Sequence, residues 1–164
     1  MSDSTAFHQL GRFIFLFQHV EAALTELLVL MSRADDEAIR ILVNELEFSK
    51  RVKTTDVMFA RFVDLHRNAD EALKIEFHKL MVEIEKLGTR RNDIVHSKYT
   101  YWINVEGSHG LIRKNSKLRG SEGVRESVEE ELLPGALEAD GDRVGLVLQK
   151  LEKLRLQLIE WLYP

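Results

Sequence analysis

Residues 73–99, LKIEFHKLMVEIEKLGTRRNDIVHSKY, decide how the rest of the chain is read. Leu73, Phe77, Leu80, Ile84 and Leu87 recur at steps of three and four, which predicts an amphipathic helix with one buried stripe. Continued at the same steps, the stripe reaches Arg91. At ~100° per residue, Arg91 lies roughly 20° from the direction of Ile84, Asn92 about 80° and His96 about 120°. Arg91 is therefore expected to point into the core face, with Asn92 and His96 one turn apart on its shoulder. A guanidinium taken out of water needs a carboxylate or phosphate partner. The helix thus delivers an arginine and a histidine to whatever lies at its far end.

Working back towards the start, residues 5–32 read as a first helix. Phe7, Leu10, Ile14, Phe17, Leu24, Leu28 and Met31 form its core stripe. Phe13, Val20 and Leu27 add a second stripe, as expected for a central helix or one at a dimer contact. Glu21 interrupts the first stripe as Arg91 interrupts the later one. Their opposite signs suggest a pair in which Glu21 fixes Arg91. Asp35 and Asp36 open a short helix through Ile39, Leu42 and Val43. Ser49 is the expected cap of a third, over residues 50–66, and Asn68 of the fourth.

Beyond the motif, residues 99–105 are aromatic and β-branched and predict a strand. A turn at 106–110 leads to a short return strand at 111–113. Residues 115–123 read as a polar loop and 124–133 as a helix broken by Pro134 and Gly135, before a last helix over 142–162. The expected fold is mostly all-α: one domain over residues 1–164, a helical bundle with a small β-hairpin inserted before the C-terminal helices.

The composition, 45% hydrophobic and 30% charged, fits a folded globular chain. No cysteine occurs, which removes thiol chemistry and disulfides and suits a reducing cytoplasm. The first residues carry no basic start ahead of an apolar stretch, so no signal peptide is expected. The longest uncharged run there, 13–20, is too short to span a bilayer. No membrane role follows from it. No His-Glu-x-x-His pattern or carboxylate cluster is present, so neither metal nor cofactor is expected. The net charge of −4 hides a division. Residues 86–125 hold nine Lys or Arg against three Asp or Glu, while 126–142 hold seven acidic residues and no basic one. The basic part contains Arg91 and His96, and a local positive field suits a phosphate-bearing ligand.

The bundle, together with Arg91-Asn92-Asp93-Ile94-Val95-His96, resembles the HEPN superfamily. Its hallmark is an arginine, four to six residues and a histidine, commonly with a polar residue after the arginine, the place Asn92 takes here. The same spacing joins Arg12 to His19, Arg61 to His66 and Arg90 to His96; phenylalanine follows Arg12 and Arg61, whereas Arg91 precedes Asn92 near the end of a long helix. Toxins of this superfamily paired with nucleotidyltransferase-type antitoxins often carry a tyrosine two residues after the histidine. Lys98 stands there in this chain, and Tyr99 comes one later.

The resemblance implies a metal-independent endoribonuclease of toxin or phage-defence type. It would act as a homodimer with both motifs facing one cleft, beside an antitoxin or neighbouring defence protein. Histidine, with an ordinary pKa near ~6.5, suits taking and giving protons. Arginine, forked and always charged, suits the phosphate. His96 and Arg91 take these catalytic roles, with Asn92 and Glu21 in support. Lys98, Tyr99, Trp102, Arg113 and Lys114 are the expected RNA contacts, aromatic rings offering stacking surfaces for bases. The alternative is a non-catalytic nucleotide-binding or protein-interaction module.

Overall fold

The computed structural model describes residues 4–67 and 70–164. Its elements in chain order are α1 (Ser4–Ser32), α2 (Asp36–Asn44), α3 (Phe48–His66), α4 (Glu71–Val95), β1 (Lys98–Ile103), β2 (His109–Arg119), β3 (Val124–Leu132) and α5 (Pro134–Leu162). The chain is mostly helical, with one antiparallel sheet of order β1-β2-β3. It divides into two compact units: Met1–Leu16 with Thr89–Arg143, and Phe17–Gly88 with Val144–Pro164.

Among its described residues the second unit contains helices and no strand. Phe17, Val20, Leu24 and Leu27 of α1 are buried in it, as are Phe59 and Phe62 of α3, Phe77 and Ile84 of α4, and Val147, Leu151 and Leu158 of α5. Phe59 stacks on Phe77 with ring centroids 3.9 Å apart. The second stripe of α1, Phe13, Val20 and Leu27, is fully buried within the chain. That stripe is what makes the helix central within the chain. By length and composition Thr5–Ser32 would also cross a membrane. Its buried residues include Phe13, Phe17, Val20, Leu24 and Leu27, while Phe7 and Phe15 are exposed, and Glu26 pairs with Arg40 at 2.7 Å.

The caps are set by packing as much as by local preference. The short helix expected from Asp35 and Asp36 is α2, and Asp35 caps it, its Oδ1 accepting from Ala38 N at 2.9 Å. Ser49 does not cap α3. That helix begins at Phe48, and Ser49 Oγ lies 2.5 Å from Glu85 Oε1. Phe48 packs on Phe17, centroids 4.9 Å apart, which carries the helix start back from residue 50. The expected cap Asn68 lies outside the described residues. Asp70 Oδ1 accepts from Leu73 N at 3.1 Å in the first turn of α4.

Gly88 matters for the same ring. A Cβ at position 88 would lie 2.6 Å from Phe48 Cδ1, and Phe17 backs the ring. Alanine gains about 1 kcal/mol over glycine in a helix interior, but overpacking costs about 1–3 kcal/mol. Gly88→Ala is expected to lower stability by about 1 kcal/mol; an increase in the urea midpoint would show that Phe48 gives way freely.

The first unit surrounds the sheet. Ala6, Leu111, Leu132 and Leu137 are buried together, with Leu10 and Tyr99 packed against them. Three expectations need correction here. The stretch 115–123 is not wholly loop, since β2 continues through Arg119. The stretch 124–133 is not a helix but β3, paired with β2 from Leu111↔Leu132 to Arg119↔Val124. Val124, Val128 and Leu132 fit a helical spacing of four and a strand spacing of two equally well, and the neighbouring strand decides between them. Pro134 does not break a helix; it opens α5, where its missing N–H costs nothing. At the β1–β2 turn Gly107 adopts a φ of +79°, beside Asn104, whose Oδ1 accepts from Glu106 N and Ser108 N.

Candidate active site

α4 enters the sheet-containing unit at Thr89, and its buried direction changes there. Ile94 is the buried residue of this last stretch. At ~100° per residue it lies about 80° from the direction of Ile84, so the core face has rotated by the helix end. Measured from Ile94, Arg90 is ~40° away and Arg91 ~60°, on the other side, while Asn92 and His96 are each ~160° away. This corrects the expectation that Arg91 points into the core. Arg91 is half-buried and Arg90 turns inward.

Arg91 Nη1 donates to Asn92 Oδ1 at 3.0 Å. Asn92 and His96 are both exposed. The His96 N–H donates to the Asn92 carbonyl at 3.0 Å, so the helical turn continues through the histidine. An arginine, an amide and an imidazole are thereby held on the last turn of one helix, with the amide and imidazole on its outward side.

Beside them lies a partly buried ion network. Arg90 Nε donates to Asp140 Oδ2 at 2.8 Å, and its Nη1 to Glu130 Oε2 at 2.7 Å. Arg113 donates to the same Glu130 oxygen from Nε at 2.9 Å and pairs with it through Nη2 at 2.7 Å. Arg113 is only 4% exposed. Burial opposes the Arg90 charge, but the hydrogen bonds to Glu130 and Asp140 outweigh it, and its pKa is raised above the usual arginine value. The Arg90 hydrogen bond is the main cause holding the Glu130 carboxyl below the ordinary range; burial resists it and Arg113 adds to it. Burial raises the Tyr99 hydroxyl, against the nearby positive charges of Arg113 and Arg90.

The strand register sorts the expected RNA contacts into two groups. Lys98, Trp102 and Lys114 share one face of the sheet through the pairs Lys98↔Lys114 and Trp102↔Gly110. Tyr99 and Arg113, paired with each other, lie on the opposite face, towards the core. Lys114 is held by Glu129 at 2.8 Å and Lys117 by Asp93 at 2.8 Å. Within the basic stretch 86–125, Arg90, Arg113 and Lys114 thus pair with carboxylates of β3, and Lys117 with Asp93 of α4. Glu21 belongs to the other unit and is half-buried.

Sequence reasoning missed Arg90, Glu130 and Asp140 as a group. The signal was present: a basic block followed directly by an acidic one is the pattern of two strands that pair by charge. Among the described residues no group of three or more His, Cys, Asp or Glu side chains is placed to hold a metal ion. No known protein family, characterised protein or solved structure matches this chain.

Proposed function

We propose that this protein is a metal-independent endoribonuclease of toxin or phage-defence type, acting on RNA in the cytoplasm. The observation that carries the reading is the Arg91 guanidinium hydrogen-bonded to Asn92, one turn from the exposed His96, on a helix end beside partly buried ion pairs. The resemblance of Arg91–His96 to the HEPN motif supports it.

In this reaction the RNA 2′-hydroxyl attacks the adjacent phosphorus, and its proton passes to an imidazole. The 5′-oxygen of the next nucleotide leaves and takes up a proton, giving a 2′,3′-cyclic phosphate and a 5′-hydroxyl. His96 supplies the proton transfers, the neutral ring accepting and the protonated ring donating. Arg91 offsets the charge that grows on the phosphoryl oxygens, and Asn92 orients the guanidinium. Two copies of the motif facing one cleft would provide one ring in each state, which is why a homodimer is part of the proposal. Lys98, Trp102 and Lys114, on the outer sheet face, are the contacts offered to the remainder of the RNA. An antitoxin or neighbouring defence protein is the expected macromolecular partner.

Purified protein incubated with total RNA, with and without EDTA, tests the activity. Cleavage that survives chelation agrees with the proposal, whereas binding without cleavage favours a non-catalytic module. Light scattering tests the assembly. A mass twice the 19.0 kDa of one chain is expected, and 19.0 kDa at micromolar concentration would remove the dimer.

A further inference from the structure

A helix that ends in water leaves its last four carbonyls to solvent or to capping groups. α4 ends under tighter control. The Asp93 carbonyl accepts from Arg113 Nη1 at 3.0 Å and also from the Ser97 hydroxyl. The Ile94 carbonyl accepts from the Tyr99 hydroxyl at 2.6 Å. Arg113 Nη1 reaches Ser97 Oγ as well, at 3.0 Å, and Lys117 Nζ holds the Asp93 carboxylate at 2.8 Å. Tyr99, Arg113 and Lys117 occupy the same face of the sheet and converge on the residues either side of His96.

Burying a guanidinium to satisfy one carbonyl is an expensive way to cap a helix, because the charge must itself be compensated. Glu130 does this for Arg113, and Arg90 ties Glu130 to Asp140. Fixing these groups removes the fraying ordinarily seen at a helix terminus. We propose that Arg113 is a positioning residue: it locks the backbone of residues 93–97 and so fixes how Asn92 and His96 are presented. This rests on the ribonuclease reading of the same site. Arg113 itself touches no substrate and moves no proton. Its guanidinium works through Asp93, Ser97 and the turn between them.

Arg113→Lys and Ser97→Ala test this, with kcat and KM measured separately and native-state amide exchange followed alongside. The lysine keeps a cation for Glu130 but lacks the fork that serves the helix end at the same time. Ser97→Ala removes one link without stranding a charge, so it reports even if the lysine variant misfolds. Each is expected to lower kcat about tenfold or more with KM nearly unchanged, since small misplacements of a reacting group are costly. The His96 and Ser97 amides should lose protection by about tenfold while the β2–β3 amides keep theirs. Unchanged protection at residues 96 and 97, or a uniform loss throughout the chain, overturns the proposal. If the parent protein cleaves no RNA, the ribonuclease reading fails, while the exchange pattern still decides whether Arg113 orders this turn.

Discussion

His96→Ala is expected to lower RNA cleavage by about 10²–10⁴-fold, the range that a positioned acid–base group contributes. Helical circular dichroism should be unchanged. The imidazole is exposed, and the bond that its backbone N–H makes to the Asn92 carbonyl survives the substitution. An exposed side chain of this kind contributes within ~0.5 kcal/mol to stability, so any loss of activity cannot be ascribed to unfolding. Growth arrest caused by expressing the parent chain should vanish with it. Arg91→Lys separates charge from shape. It keeps a cation at residue 91 but loses the fork that can meet two phosphate oxygens, so it should fall between the parent and Arg91→Ala. Parental cleavage by His96→Ala would take the histidine out of the chemistry altogether.

The largest effect on stability is expected from Glu130→Ala. One carboxylate oxygen of Glu130 serves both Arg90 and Arg113, and Arg113 is nearly sealed from water. Removing one partner from a buried ion pair costs about 3–5 kcal/mol because the other charge is left uncompensated. For a chain of this size that is roughly a 10 °C fall in melting temperature. Arg90 keeps Asp140, so the stranded charge is chiefly that of Arg113. Glu130→Gln retains an acceptor and should lose less. A fall of 1–2 °C for Glu130→Ala would mean that water reaches Arg113 and that the network holds the helix end only loosely.

The same group gives the protein an acid limit. The folded state holds the Glu130 carboxyl below its ordinary value, with Arg90 the main cause, so the folded chain binds this proton less readily than the unfolded chain. Its contribution is complete above the ordinary carboxylate range and is lost as pH falls through that range to the depressed value. Glu130→Gln lacks this group, and its stability should fall less steeply on acidification than the parent's.

Much of the helical framework was legible because long apolar stripes admit one solution. The helix expected over residues 5–32 is α1, Ser4–Ser32, and the short helix opened by Asp35 and Asp36 is α2. The errors occur where two rules fit the same residues. Val124, Val128 and Leu132 satisfy both periods, and only pairing with the basic β2 makes them a strand. Pro134 followed by Gly135 looks like a break from the preceding side and like a helix start from the following side. The phase of Ile84, extended, turns Arg91 inward, yet α4 changes its buried face at Ile94, and Arg90 is the inward arginine. Asn92 and His96 were legible as neighbours because a spacing of four survives any rotation of the core. The ion network beside them was not, because it joins residues 40 and 50 positions apart in the chain.

If His96 and Arg91 promote attack by a 2′-hydroxyl, cleavage must depend on that hydroxyl in a chemically defined substrate. An oligoribonucleotide that the protein cleaves would be compared, in EDTA, with the same strand carrying a single 2′-deoxynucleotide on the 5′ side of the scissile phosphate. The all-ribose strand should yield a 2′,3′-cyclic phosphate end, and the substituted strand should stay intact at that bond. Cleavage of the substituted strand at the parental rate, or a product ending in a 3′-hydroxyl, would contradict this mechanism.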